Sequence, residues 1–415
     1  MPLPCESPRQ AALTVIRTLR SAGHTAYLAG GCVRDALLGL DPKDYDVATD
    51  ATPDRVQQLF PSTAAVGAAF GVVLAYIRKP GPGRHTIEVA TFRADGHYAD
   101  GRRPDDVRFT TAQEDAQRRD FTINGLFADP PPEDAREGTQ DTIIDYVGGQ
   151  ADLKQGVIRA IGDPTARFGE DYLRMLRAVR FAARFGFAIE PKTAQAIKQH
   201  APKLDQIARE RIGDEVRRMV MGKHPPIAVQ RLYDLGLDRT IFDAPAQDLN
   251  TEPLERLSDQ AHYATRLSVW MHGRTPMQGV KAIRQALMLS NEECDDYRDL
   301  MGLTAELSHW DGASVAARKR LASHRQWPQA MTKWEATFLR DFIERIKADV
   351  AALQNDGIGL APAPFVTGDD LIALGLKPGP HFKTLLDQTY DAQLEGRVKT
   401  KQEARTFAQA RSSEQ

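Results

Sequence analysis

The hydrophobic pattern of this chain changes character once, at Gly148-Gly149, and that change limits the folds open to it. Before it, short apolar runs of strand length alternate with helical stretches. A helix is expected over Pro8–Ala22, strands at Ala26–Ala29, Tyr45–Ala48, Gly71–Ile77 and Thr86–Phe92, and a short helix from Val33 to Leu38 closed by Gly39. From Pro164 onward nearly every segment repeats its apolar residues with the period of an amphipathic helix. Polar breaks at Lys223–Pro226, Ala244–Pro253 and Asp356–Pro364 divide this part, and the last dozen residues read as frayed. A chain of 415 residues exceeds what one core usually organises. The pattern therefore predicts an α/β or α+β domain first, then helical domains.

Composition excludes several classes. The chain is 42% hydrophobic and 27% charged, with no apolar run of membrane-spanning length. MPLPCESPRQ lacks the basic-then-apolar layout of a signal peptide. Cys5, Cys32 and Cys294 are far apart, which argues against a disulfide framework or zinc site and fits a reducing cytoplasm. The net charge of −2 does not by itself suggest an RNA binder. Nucleic-acid binding depends on local clusters of cations, however, so the placement of the arginines matters more.

The strongest chemical signal is Asp41-Pro-Lys-Asp44-Tyr-Asp46-Val-Ala-Thr. In a strand, residues two apart face the same way, so Asp44 and Asp46 would present two carboxylates to a divalent cation. A D-x-D pair alone is more often a surface feature. Just upstream, Gly30-Gly31 open a helix whose N-terminus can bind phosphate, with Arg34 adding positive charge. The plain alternative is a strand–turn–helix with Arg34 and Asp35 exposed. Glu88 lies inside the run Thr86–Phe92 on the face opposite Ile87, Val89 and Thr91. It is either a third acid of a metal site or a solvent-facing residue.

A second signal is the run Glu170–Arg184. On a helical wheel of about 100° per residue, Asp171, Arg174, Arg177, Arg180 and Arg184 share one half, and Met175, Leu176, Val179 and Ala183 the other. Four arginines without lysine suit planar recognition of phosphates or base edges better than a merely solvated face. Asp171 and Arg174, at i and i+3, would project together as an acceptor beside a donor. That matches the base edge of cytosine or adenine and opposes uracil or guanine. Arg118-Arg-Asp-Phe-Thr-Ile-Asn124 adds Arg119 for a triphosphate or ribose, with Asp120 and Asn124 positioning the sugar or neighbouring side chains. A basic helix start is the structural alternative there.

Together these residues resemble the class II tRNA nucleotidyltransferase and poly(A) polymerase family. GGCVRDALLG with DYDVAT looks like its first motif and RRDFTING like its second, where the family usually has Ala in place of Gly125. DYVGGQADL resembles the head–neck connection, EDYLRMLRAVRFAARFGF the base-recognition helix, and RERIGDEVRRM the last motif. The resemblance implies an α+β nucleotidyltransferase head of the polymerase β type over residues 1–148. An all-α neck (149–222), body (223–355) and tail (356–415) would follow, arranged as a hook. It further implies that Asp44 and Asp46 hold two Mg²⁺ ions and that Gly31, Arg34 and Arg119 contact phosphates and sugar. Asp171 and Arg174 would read the base, supported by Arg177 and Arg180. The implied reaction adds C and A from CTP and ATP to the tRNA 3′ end and releases pyrophosphate. No stable protein partner is implied.

Three alternative functions make different demands on the sequence. A poly(A) polymerase would carry a basic element where Ala65–Leu74 has small residues. A catalytically dead RNA binder would have lost an acid of the Asp44/Asp46 pair. A phosphohydrolase would need a His–Asp cluster that the His262 and His272 region does not supply. Residues 93–104, polar with two glycines and a proline, read as a loop. In the family such a loop is needed to switch from C to A addition. Its Tyr98 and Arg102-Arg103-Pro104 favour full CCA addition, with A-only addition the main rival.

Overall fold

The computed structural model describes residues 5–65, 71–95, 107–132, 134–136, 138–243, 249–272 and 279–412. The chain forms two compact units, residues 1–246 and 247–415.

Unit 1 is built on a seven-stranded sheet in the order β3-β4-β5-β2-β1-β8-β9. The strands are β1 (Ala26–Ala29), β2 (Asp46–Thr49), β3 (Thr63–Ala64), β4 (Val72–Arg78), β5 (Arg84–Thr91), β8 (Leu126–Asp129) and β9 (Thr142–Asp145). A separate hairpin pairs β6 (Arg93–Asp95) with β7 (Val107–Phe109). Only β2 and β5 run parallel within the large sheet, and their register sets Asp46 directly opposite Glu88. The first helix, α1 (Pro8–Ser21), starts at a capping box between Ser7 and Gln10 and buries Ala11, Ala12, Val15, Ile16 and Leu19. That stripe packs on β1, β2 and β5. The helices α2 (Gly31–Leu37), α3 (Pro53–Leu59) and α4 (Ala112–Gln117) complete this region.

The four expected strands are present with small shifts at their ends. β8 and β9 were not expected. Leu126, Phe127 and Ala128 are all buried, so β8 lacks the alternation that marks a half-exposed strand.

The rest of unit 1 is helical: α5 (Gly149–Gln155), α6 (Pro164–Glu170), α7 (Leu173–Phe185), α8 (Pro191–His200), α9 (Arg209–Val220), α10 (Pro225–Asp234) and α11 (Leu237–Phe242). One short parallel ladder, β10 (Val157–Ile158) with β11 (Ala188–Ile189), interrupts the helices. The expected continuous helix from Glu170 is two helices. Asp171 is extended (φ −153°, ψ 105°), and its carboxylate accepts the Leu173 N–H at 3.0 Å. An aspartate side chain that bonds nearby backbone in this way competes with helix continuation. The apolar side of α7 is as expected: Met175, Leu176, Val179 and Ala183 are buried, packed in part on α9 and α10.

Unit 2 is helical throughout its described residues. Trp327 meets Trp334 edge-on with centroids 5.2 Å apart, and Trp310 lies 6.1 Å from Trp327. Its last part buries Val366, Leu371, Leu385, Ala392, Val398, Ala404 and Ala408 together. A capping box between Thr367 and Asp370 opens the helix Gly368–Ala373. Of the last dozen residues, expected to be frayed, 404–412 lie in a helix, and 413–415 lie outside the described residues. Lys401–Ser412 is a helix, because Ala404 and Ala408 are buried and Arg405 pairs with Asp370 at 2.7 Å. Among the described residues, no helix is long and apolar enough to cross a membrane.

Candidate functional site

A cavity of about 560 Å³ opens in unit 1 between the sheet and α7. Gly30, Gly31, Arg34, Asp46, Glu88, Arg119, Asp120, Asn124, Asp171, Arg174, Arg177 and Arg180 all line it. Asp44 does not.

One wall is the sheet. Asp46 begins β2 and Glu88 faces it from β5. Burial in the recess and then the charge of Glu88 push the Asp46 pKa up to about 6, with a smaller contribution from Asp44 and an opposing one from Arg119. Glu88 is raised as well, by desolvation first, with Arg119 and Arg93 opposing. The expected pairing of Asp44 and Asp46 along one strand is therefore modified. Asp44 precedes β2 and is exposed, and the sheet itself juxtaposes Asp46 with Glu88. Among the described residues, no three His, Cys, Asp or Glu side chains gather into a site that could hold a metal ion unaided.

At the end of β1 the chain turns through Gly30 into α2. Gly30 adopts φ 68°, a left-handed value that favours glycine. A Cβ there would lie 2.7 Å from Arg119 Nη1, so no side chain fits while Arg119 holds its place. Arg34 and Asp35 are buried, not exposed. Arg34 Nε donates to Asp35 Oδ1 at 2.7 Å and Nη1 donates to Asn124 Oδ1. Its guanidinium lies over the rings of Phe181 and Phe185 at 5.1 and 4.9 Å.

The opposite wall is α7 with its partners. Each arginine of the stripe meets a carboxylate from another element. Arg174 pairs with Glu170 of α6, Arg177 with Asp120 at 2.7 Å, Arg180 with Glu215 of α9 at 2.6 Å, and Arg184 with Asp35 of α2 at 2.8 Å. The stripe thus has more counter-charge than Asp171 alone. Asp171 and Arg174 both line the cavity, Arg174 from α7 and Asp171 from the extended backbone before it, and the Arg174 N–H donates to the Asp171 carbonyl at 3.1 Å. Arg211 Nη2 donates to Asp171 Oδ2 at 2.7 Å. Asp120 accepts from Asn124 Nδ2 at 2.9 Å. Burial alone would raise the Asp120 pKa, but Arg177, the Asn124 hydrogen bond and Arg174 hold it at about 2.

Sequence reasoning did not single out Asp115, Glu170, Glu215 or Arg211. Glu215 and Arg211 lie in RERIGDEVRRM, and helical spacing relates Asp115 to Arg118 and Arg119, so a signal existed. At Gly125, a Cβ would come within 2.7 Å of Val147 Cγ2 and 3.2 Å of Ile161 Cδ1. The glycine here is therefore matched to larger neighbours. Residues 96–106, which hold most of the expected loop, lie outside the described residues.

Residues 26–159 match the family model of the poly A polymerase head domain. Residues 186–249 match that of the probable RNA and SrmB-binding site of polymerase A. The CCA-adding enzyme of Levilactobacillus brevis is 35% identical over 393 residues, covering 90% of each chain. That of Geobacillus stearothermophilus is 32% identical over 95% of each. Among solved structures, the Bacillus stearothermophilus CCA-adding enzyme in complex with CTP superposes with a TM-score of 0.75 at 29% identity, over 99% of this chain and 98% of that one. With a mixed-sheet head, a helical remainder and similarity along nearly its whole length, the chain belongs to the tRNA nucleotidyltransferase and poly(A) polymerase family that includes the CCA-adding enzymes.

Proposed function

We propose that this chain builds the CCA end of tRNA, adding C and A from CTP and ATP to the RNA 3′-hydroxyl and releasing pyrophosphate. The observation that carries this reading is a single cavity with crowded carboxylates on one wall and a rigid set of arginines on the other. Such a cavity suits a reaction in which a triphosphate, a base and an attacking hydroxyl must all be held at once.

The roles follow from chemistry. Asp46 and Asp44 would hold Mg²⁺, with Glu88 beside them. The fit rests on hard oxygen donors and on the like charges that raise the Asp46 pKa. Mg²⁺ is commonly bound by one or two carboxylates and completed by substrate phosphates. Two such ions supply charge neutralisation at the attacking oxygen and at the leaving pyrophosphate. Gly30, Gly31, Arg34 and Arg119 receive the triphosphate. Asp120 and Asn124 hold Arg177 and Arg34 in place. Asp171 supplies an acceptor and Arg174 a donor to the base, with Arg177 and Arg180 behind them. This reading assigns residues 1–148 to a catalytic head, 149–222 to a neck, and 223–355 and 356–415 to a body and tail that grip the tRNA. Three free cysteines fit a reducing cytoplasm.

The test is incubation of purified protein with a tRNA transcript lacking its CCA end and each labelled nucleoside triphosphate. CTP and then ATP should be incorporated, and UTP and GTP should not. Removing residues Asp95–Gly101 should leave products stalled at CC. Efficient incorporation of UTP, or a long A tail on unrelated RNA, would contradict the proposal.

A further inference from the structure

Arg119 is held in place from two sides, and one of them is a residue with no role in the reading above. Asp115 lies on α4, which starts at a Thr111 cap, and its side chain is 1% exposed. Both of its oxygens are used by arginines. Oδ1 accepts from Arg118 Nη2 at 2.7 Å and Nε at 3.0 Å. Oδ2 accepts from Arg119 Nη2 at 3.0 Å and Nε at 3.2 Å. The same Oδ1 takes the Arg93 backbone N–H at 3.3 Å, while Arg118 Nε donates to the Arg93 carbonyl at 2.9 Å. Arg93, Arg118 and Arg119 all line the cavity.

Among the described residues, Asp115 is the only carboxylate in ion-pair contact with Arg119. The other contacts of that guanidinium are weaker: the Asn124 carbonyl at 3.3 Å and the Phe127 ring at 5.2 Å. On its far side the guanidinium abuts Gly30, where a Cβ would intrude to 2.7 Å. Asp115 pulls and Gly30 leaves room, so the fork of Arg119 points at the turn that opens α2.

We propose that Asp115 is a positioning residue for nucleotide binding: it fixes Arg119, and with it Arg118, in the orientation that receives the triphosphate. The inference rests on the cavity being the nucleotide site. One carboxylate serving two guanidiniums leaves a net positive charge facing the cavity, as a polyanion requires. Its removal should loosen the arginines while leaving Asp46 and Glu88 in their register on the sheet.

The experiment compares wild type with D115N, which keeps the shape and removes the charge. It measures KM for CTP, KM for tRNA, kcat, and CTP binding by calorimetry without tRNA. The expected result is a rise in nucleotide KM and Kd on the order of tenfold, the size at which orienting partners act. KM for tRNA should be unchanged and kcat should move less. In an R119A background, D115N should add little, because its effect runs through Arg119. Should D115N fail to fold, D115E carries the same test, since it keeps the charge but moves it by one methylene. An unchanged nucleotide KM, an equal rise in both KM values, or full additivity with R119A would overturn the proposal. A wild-type protein that transfers no nucleotide would instead overturn the functional reading on which it rests.

Discussion

On the sheet wall of the cavity, Asp46 and Glu88 face each other across a parallel ladder, and among the described residues neither has a cation within ion-pair distance. On the helical wall, four arginines each meet a carboxylate supplied by a different element. The first arrangement leaves like charges crowded and their pKa values raised, so a bound cation would relieve the site. The second fixes long side chains before any ligand arrives, so little rotamer entropy is left to lose on binding. Among the described residues, the sheet wall lacks ion-pair partners for its acids, while the helical wall is held by ion pairs. Substitutions on the two walls should therefore differ in kind.

The largest effect is expected on the sheet wall. Asp46→Asn removes one of two opposed acids, so the melting temperature should stay level or rise. Nucleotide transfer should fall on the order of a thousandfold or more in single-turnover assays. Asp44→Asn should behave similarly in activity, with tRNA binding retained in both. A variant that loses stability while keeping activity would reverse the contrast between the walls.

On the helical wall stability should suffer. Asp120→Asn removes the carboxylate that holds the half-buried Arg177, whose side chain is 33% exposed, and losing a hydrogen bond to a charged group typically costs about 1.5–3 kcal/mol. The pH dependence has a definite sign. The Asp120 pKa is depressed to about 2 in the folded protein. Its contribution is therefore fully present above the ordinary carboxylate value of about 4 and is lost as pH falls toward the folded value. Urea denaturation should show the gap between wild type and Asp120→Asn narrowing below that point. A gap independent of pH would break the argument.

Smaller effects concern base choice. Asp171→Ala or Arg174→Ala should relax discrimination against UTP and GTP on the order of tenfold, since a bidentate base contact is worth about 1–3 kcal/mol. Arg211→Ala should shift selectivity in the same direction but less, because it removes only the partner that holds Asp171. Full selectivity in all three variants would place base reading elsewhere.

The sequence disclosed the two walls unequally. Local motifs located Gly30, Asp46, Arg119 and the arginine stripe because each sits in a short pattern with its own spacing. What closes the cavity was less visible. Arg177 finds Asp120, Arg180 finds Glu215 and Arg184 finds Asp35 across chain separations that only the fold bridges. The break at Asp171 was hidden because helical periodicity continues through it, and only the side chain's own bond to Leu173 N–H reveals the new start. β8 escaped because Leu126, Phe127 and Ala128 are buried in succession, so the strand carries no alternation. The pairing of Asp46 with Glu88 depends on a parallel register that no local pattern encodes.

The most direct test of the central claim uses three tRNA transcripts, ending at the discriminator base, at C and at CC, each given CTP plus ATP. All three should mature to CCA and stop there. Elongation of the CC-ending transcript alone would show an A-adding enzyme, and no elongation of any of them would contradict the assignment of this cavity to nucleotide transfer.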